Sequence, residues 1–163
     1  MFKRSRSDED VAGVIAPPPL IFVGFLVLGL GLSHLWPLAI VGSGIPTVLR
    51  TGVGAALAAL GLVIAILGFR QFRKAGTDVR PDRATTALIT GGIYRYSRNP
   101  LYLSLALFYA GIAFAANSLW ALALLVPTLA VIRYGVIARE EAYLERKFGD
   151  DYRRFKATVR RWL

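Results

Sequence analysis

The chain has 163 residues, a formal net charge of +10 and no cysteine, with 55% hydrophobic residues and a mean hydropathy of +0.51. That apolar content exceeds what a soluble domain of this length carries and points to a membrane protein. Without thiols there is no disulfide, no cysteine nucleophile and no thiolate-bound metal, and with His34 as the single histidine a zinc site or a Ser-His-Asp arrangement would need residues the chain lacks.

In chain order, a charged tail with Lys3, Arg4 and Arg6 reads as mobile over residues 1–16, and Pro17-Pro18-Pro19 gives a rigid entry to a first helix. A secretory signal is the competing reading of this start. The apolar stretch outruns a roughly 7–15-residue h-region, however, and Gly42-Ser43-Gly44 is a poor cleavage site. Apolar stretches cover about 20–38, 47–69, 100–116 and 119–137, each near the roughly 17–25 residues that cross a hydrocarbon core. All four are expected as helices, because backbone groups in lipid must bond within their own segment. In the second stretch Gly54, Ala58 and Gly61 allow close approach of another helix. Gly52-x-Gly54 is not a dinucleotide fingerprint, since it opens an apolar helix with no strand before it.

Charge placement predicts orientation. Of the 20 Lys and Arg, all but Arg50 lie in or beside the N-terminal tail, the connection 71–99 or the segment after residue 137. By the positive-inside bias those three regions are cytoplasmic, which requires an even number of crossings, and four satisfies it. The opposite connections, 39–46 and Asn117-Ser118, are short and nearly uncharged, with Trp36 and Trp120 as interfacial anchors. His34 reads as an interfacial side chain at that end. The expected architecture is thus an all-α polytopic membrane protein: one integral membrane domain, four transmembrane helices, both termini cytoplasmic, a cytoplasmic loop and an amphipathic helical tail over 138–163. A sequence pI near 10.5 also suits a nucleic-acid partner. The cations line one membrane face, though, where each gains roughly 1 kcal/mol from anionic headgroups, so no nucleic acid is expected.

Two polar clusters flank the last pair of helices. In the first, Gly76, Pro81 and Gly91-Gly92 break the connection into short pieces, Thr85-Thr86-Ala87-Leu88 suits one helical turn, and Gly91-Gly92 permits positive φ or close backbone approach. Asn99-Pro100 marks a helix start, which has two readings. Asn99 is an N-cap accepting a backbone N–H, or the positive end of the helix faces an anionic part of a ligand. Tyr94, Tyr96, Tyr102, Arg95 and Arg98 crowd around it. In the second cluster Glu140-Glu141 follow the fourth helix, and Glu141 and Glu145 are like charges at i,i+4 that need another partner. Arg133 lies two turns before Glu140 on nearly the same face, either snorkelling to the interface or serving within the membrane. Leu144, Phe148, Tyr152 and Phe155 form an apolar stripe, continued by Val159 and Trp162, with Gly149 ending a helix and Asp150-Asp151 starting the next turn. That tail is expected along the membrane surface, covering what the clusters enclose.

The series Gly92-Ile93-Tyr94-Arg95-Tyr96-Ser97-Arg98-Asn99-Pro100-Leu101-Tyr102-Leu103, Glu140-Glu141-x-x-Leu144 and Phe148-Gly149-Asp150-Asp151-Tyr152-x-x-Phe155 resembles the isoprenylcysteine carboxyl methyltransferase family of integral membrane proteins and its phospholipid N-methyltransferase relatives. The resemblance covers roughly residues 76–163. It implies S-adenosyl-L-methionine-dependent methyl transfer to a lipophilic, membrane-borne acceptor, with no metal and with the cofactor pocket facing the cytosol. By position it implies Tyr94, Arg98, Asn99, Tyr102, Glu140 and Glu141 around the cofactor, with Arg95 and Arg133 orienting an anionic substrate. Three departures stand out. The family has Arg-His-Pro where this chain has Arg98-Asn99-Pro100, so the position hydrogen-bonds without titrating. Phe155 replaces a tyrosine, and the proline that often follows Val159 is missing. Two other classes fit parts of the pattern: a nicotinamide-dependent membrane reductase with a comparable adenosine pocket, and a non-catalytic membrane assembly or binding protein in which the clusters only pack and cap.

Overall fold

A computed structural model describes residues 12–42, 44–79 and 85–163. Residues 1–11 of the expected mobile tail, Ser43, and the loop positions Arg80, Pro81 and Arg83 lie outside the described residues. All four apolar segments are helical: α1 (Pro18–Leu35), α2 (Thr47–Ala75), α3 (Pro100–Ala115) and α4 (Leu119–Val131). A π-helical segment, Ile132–Ile137, joins α4 to α5 (Ala138–Thr158), so that one helical path runs from Leu119 to Thr158 with a kink at Gly149. That path, α1 and α2 are each long and apolar enough to cross a membrane. With 16 residues α3 is shorter, about 24 Å at 1.5 Å per residue against a hydrocarbon core of about 30 Å.

The helices alternate in direction. Gly54, Gly61 and Gly68 on α2 meet Gly111, Ser104 and Leu101 on α3 in reverse order, and Gly29 of α1 meets Ala121 of α4. The starts of α1 and α3 therefore share one end of the bundle with the ends of α2 and α4. Small residues make this possible. A Cβ on Gly54 would lie 2.6 Å from the Gly111 carbonyl oxygen, and one on Gly29 would lie 2.4 Å from Ala121 Cα. Without a hydrophobic drive between helices in lipid, backbone contact of this kind is what holds a helix pair together. Phe22, Tyr109, Ala113, Ala121, Ile132, Val136 and Ile137 form the central core.

The far end is locked by a short turn. Asn117, at φ 55°, accepts at Oδ1 from the Ile40 and Val41 N–H groups, both at 3.0 Å, and Ser118 Oγ caps α4 by accepting from Ala121 N at 2.9 Å. Trp120 Nε1 donates to the Trp36 carbonyl at 2.9 Å, which ties the two expected anchors together.

At the near end, α2 runs six residues past the expected Phe69 because Arg70–Ala75 are good helix formers. Gly76, at φ 62°, ends it with Thr77 N donating to the Phe72 carbonyl at 3.3 Å, a Schellman closure. The turn expected at Thr85–Leu88 does not form. Thr85 N donates to Tyr143 Oη at 3.1 Å and Thr86 N to Thr77 Oγ1 at 2.9 Å, so side chains take the donors a helical turn would need. A 3-10 turn forms instead at Gly92–Arg95, where Gly92 has φ 60° and a Cβ would fall 2.3 Å from Gln71 Nε2.

Residues 12–16, expected as the end of a mobile tail, lie against the π-helical segment. Ile15 N donates to the Gly135 carbonyl at 3.4 Å, and Arg139 Nη1 donates to the Gly13 carbonyl at 2.7 Å. The helix over Leu119–Thr158 bends at Gly149 (φ 53°, ψ −123°), and Asp150 begins the next turn.

The helix contacts generate a paired prediction. Gly54→Ala is expected to lower stability by about 1–3 kcal/mol, as overpacking does. Gly52→Ala, where a Cβ meets nothing within 4 Å, is expected to leave stability unchanged or raise it by up to about 1 kcal/mol. Thermal unfolding of both variants in detergent checks the difference.

Candidate functional site

Where α1 and α3 begin and α2 and α4 end, a cavity of about 980 Å³ opens between the bundle and the segments beyond it. One side is apolar, lined by Pro18 of α1, Leu62 and Phe69 of α2, and Leu101, Leu105 and Phe108 of α3. The other carries Tyr94, Arg98, Asn99, Tyr102, Glu140, Glu141 and Tyr152. Residues as far apart in sequence as Tyr94 and Tyr152, from the loop, α3 and α5, thus converge on one space.

The π-helical segment decides which side chains arrive there. Ala138 N bonds back to the Arg133 carbonyl, five residues earlier, and one extra residue in a turn rotates everything after it by about 100°. Arg133 and Glu140 are consequently not on one face. Arg133 is exposed and stacks its guanidinium 5.4 Å from the Tyr134 ring, away from the cavity lining, while Glu140 and Glu141 turn inward. Arg95 is likewise exposed, just past the 3-10 turn, and does not line the cavity. The other six residues named from sequence all do.

Their partners differ. Glu141 is buried, and both its oxygens are engaged: Arg161 Nε and Nη2 donate to Oε1 and Oε2 at 3.0 and 2.7 Å, and Arg98 Nη1 lies 3.3 Å from Oε1. Glu140 accepts one bond, from Tyr102 Oη at 2.6 Å. Beyond the apolar part of its helix, which ends at Ile137, burial pushes the Glu140 carboxyl up to about 7; the Tyr102 bond pulls it down and the neighbouring Glu141 pushes it further up. Burial, then Glu140, raises the Tyr94 phenol well above its ordinary range. Burial and Glu141 push Tyr152 up to about 12, against the pull of the adjacent Arg98.

Asn99 occupies the N-cap position of α3, but its side chain caps nothing: Nδ2 donates to the Arg161 carbonyl at 2.9 Å. The N-cap reading is corrected, because the carbonyl of the folded-back tail takes Nδ2 and orients the amide toward the tail, so that Oδ1 accepts no helix N–H. Buried Ser97 orders this start instead, accepting from Asn99 N at 3.1 Å. The like charges at 141 and 145 also find their partners. Glu145 pairs with Arg153 and Lys156 at 3.2 and 3.3 Å across the bend, as Glu141 does with Arg98 and Arg161.

Among the described residues, Arg98 carries two buried donors, Nε and Nη1, with no hydrogen bond, and its side chain is 9% exposed. Buried guanidinium donors without acceptors are costly unless an acceptor arrives. Tyr94, Tyr152 and Phe155 form a second apolar cluster with Phe72, Leu144 and Val159, packed beneath this polar side. Tyr152 and Arg161 were not singled out from sequence. Tyr152 sat within an apolar stripe, and no local pattern signals that Arg161 returns to Glu141, 20 positions earlier.

The chain matches the phospholipid methyltransferase family over residues 49–151, and it belongs to that family. It is therefore a membrane methyltransferase that uses S-adenosyl-L-methionine, with a phospholipid-type acceptor. An uncharacterized protein of Haemophilus influenzae (strain ATCC 51907 / DSM 11121 / KW20 / Rd) is 53% identical over 64 residues, which cover 39% of this chain and 100% of that relative. No solved structure matches the chain.

A pH prediction follows from Glu140. Its folded-state value of about 7 lies above the ordinary 4.5, so the folded state holds the proton more tightly. The stability this contributes is full below about 4.5 and is lost as pH rises through about 7. Thermal midpoints in detergent are expected to fall between pH 5 and pH 8, and Glu140→Gln is expected to flatten that slope.

Proposed function

We propose that this cavity binds S-adenosyl-L-methionine on its polar side and receives the methyl acceptor from the bilayer on its apolar side. We propose further that this end of the bundle faces the cytoplasm, in a bacterial inner membrane. The observation that carries the reading is the Arg98 guanidinium, buried beside Glu141 with Nε and Nη1 making no hydrogen bond, in a cavity lined also by apolar side chains. Orientation rests on the cations, since among the described residues Arg50 is the one Lys or Arg at the other end. With even crossings, α3 completes a fourth span.

The donor set fits the cofactor. Bound, S-adenosyl-L-methionine supplies an electrophilic methyl group on a sulfonium. Arg98 holds its carboxylate, as a buried guanidinium with free donors is suited to do. The second oxygen of Glu140 accepts from its hydroxyls or its ammonium, while Tyr102 keeps that carboxyl oriented at 2.6 Å. Tyr94 presents a ring to the positively charged region. Asn99 contributes indirectly, holding the tail at the Arg161 carbonyl, and Glu141 acts through its two arginines. The hydrocarbon wall of Leu101, Leu105 and Phe108 places a lipid acceptor beside this polar pocket and keeps water from the reacting atoms.

The test is calorimetric titration of the detergent-purified protein with S-adenosyl-L-methionine, S-adenosylhomocysteine and NADPH, alongside labelled methyl transfer into phospholipid vesicles. Wild type is expected to bind the first two and to label lipid. Arg98→Ala and Glu140→Ala are each expected to weaken binding about 10–100-fold, the scale of a lost charge-assisted hydrogen bond. Binding of NADPH alone, or unchanged affinity in both variants, would overturn the assignment of the site.

A further inference from the structure

The pair formed by Arg161 and Glu141 joins the tail to α5, and it has a consequence for Arg98. Arg161 spans both carboxylate oxygens, with Nε to Oε1 at 3.0 Å and Nη2 to Oε2 at 2.7 Å. Arg98 Nη1 approaches the same Oε1 at 3.3 Å without making a hydrogen bond, and its Nε is equally unpaired. Two guanidiniums thus face one carboxylate. A carboxylate readily forms two parallel bonds to one guanidinium, and Glu141 has given that geometry to Arg161.

We infer that Arg161 is a positioning residue: by occupying Glu141 it keeps the Arg98 guanidinium from being captured there and leaves its donors available to an anionic group of the ligand. The inference rests on the reading that Arg98 holds that group. The Arg161 side chain is not needed to dock the tail. Its backbone carbonyl accepts from Asn99 Nδ2 and Ser97 Oγ, the Arg160 carbonyl accepts from Arg98 N at 3.0 Å, and Trp162 packs on the central core. Removing the guanidinium leaves those links in place and exposes both Glu141 oxygens to Arg98. The donors meant for the ligand are then spent within the protein.

A double-mutant cycle read by calorimetric titration with S-adenosylhomocysteine tests this. Arg161→Gln is expected to raise Kd about tenfold or more with Glu141 in place, and less than about threefold in the Glu141→Gln background, where no carboxylate captures Arg98. A merely structural Arg161–Glu141 contact is broken equally by either single variant, so Glu141→Gln alone is expected to raise Kd less than Arg161→Gln does, and an equal or larger rise overturns the inference. Arg98→Gln is the separate control: if it leaves affinity unchanged, the site assignment itself fails. Should Arg161→Gln not fold, Arg161→Lys serves, because a one-point contact leaves a Glu141 oxygen to Arg98. Its rise in Kd must again vanish with Glu141→Gln, and a rise that persists overturns the inference.

Discussion

A buried carboxylate between two guanidiniums ties together three distant parts of the chain. Glu141 belongs to the last helix, Arg98 to the connection before α3, and Arg161 to the tail. Burying charge is expensive, and a carboxylate left without a partner costs several kcal/mol, so Glu141 needs at least one of its two guanidiniums. Asn99 and Ser97 reinforce the arrangement by bonding to the Arg161 carbonyl. The polar wall of the cavity exists because this cluster forms. The tail is held across the bundle end as well by the bonds its Arg160 and Arg161 carbonyls accept and by apolar packing of Trp162.

The cavity itself grades from hydrocarbon to charge over the width of one helix. On α3, Tyr102 bonds Glu140 while Leu101, Leu105 and Phe108 line the apolar side. A methyltransferase acting on lipid needs this gradient: a sulfonium cofactor carries charge and hydroxyls, and the acceptor carries a hydrocarbon body. The helix layer below is held by backbone contact at Gly54, Gly111 and Gly29, which adds no polar group to it. Function and packing therefore use separate residues, the glycines below and the charged groups at the end.

Much of this was legible locally. Each of the four apolar segments appeared as a helix because hydrophobic length has one backbone solution in lipid. Gly54 and Gly61 announced close approach because only small residues permit it, and Gly92 announced an unusual backbone. Tyr94, Arg98, Asn99, Tyr102, Glu140 and Glu141 were placed around the cofactor by the family resemblance of their motifs, and all six line the cavity. Arg95 and Arg133, the candidates for orienting an anionic substrate, lie outside it. The helical turn expected at Thr85–Leu88 gave way to side-chain acceptors from distant positions, Thr77 and Tyr143.

Composition, hydrophobic length and charge placement alone determined a helical membrane protein with its polar clusters beside the same pair of helices, since those are properties of each segment by itself. The tertiary structure decided what each polar group does. One extra residue in the π-helical segment turned Glu140 inward and left Arg133 outside, because rotation about a helix axis propagates to every residue beyond it. The fold-back of the tail turned Asn99 from a helix cap into a clamp and gave Glu141 to Arg161, because a hydrogen bond goes to whichever partner the fold brings within reach. No spacing along the chain encodes that meeting.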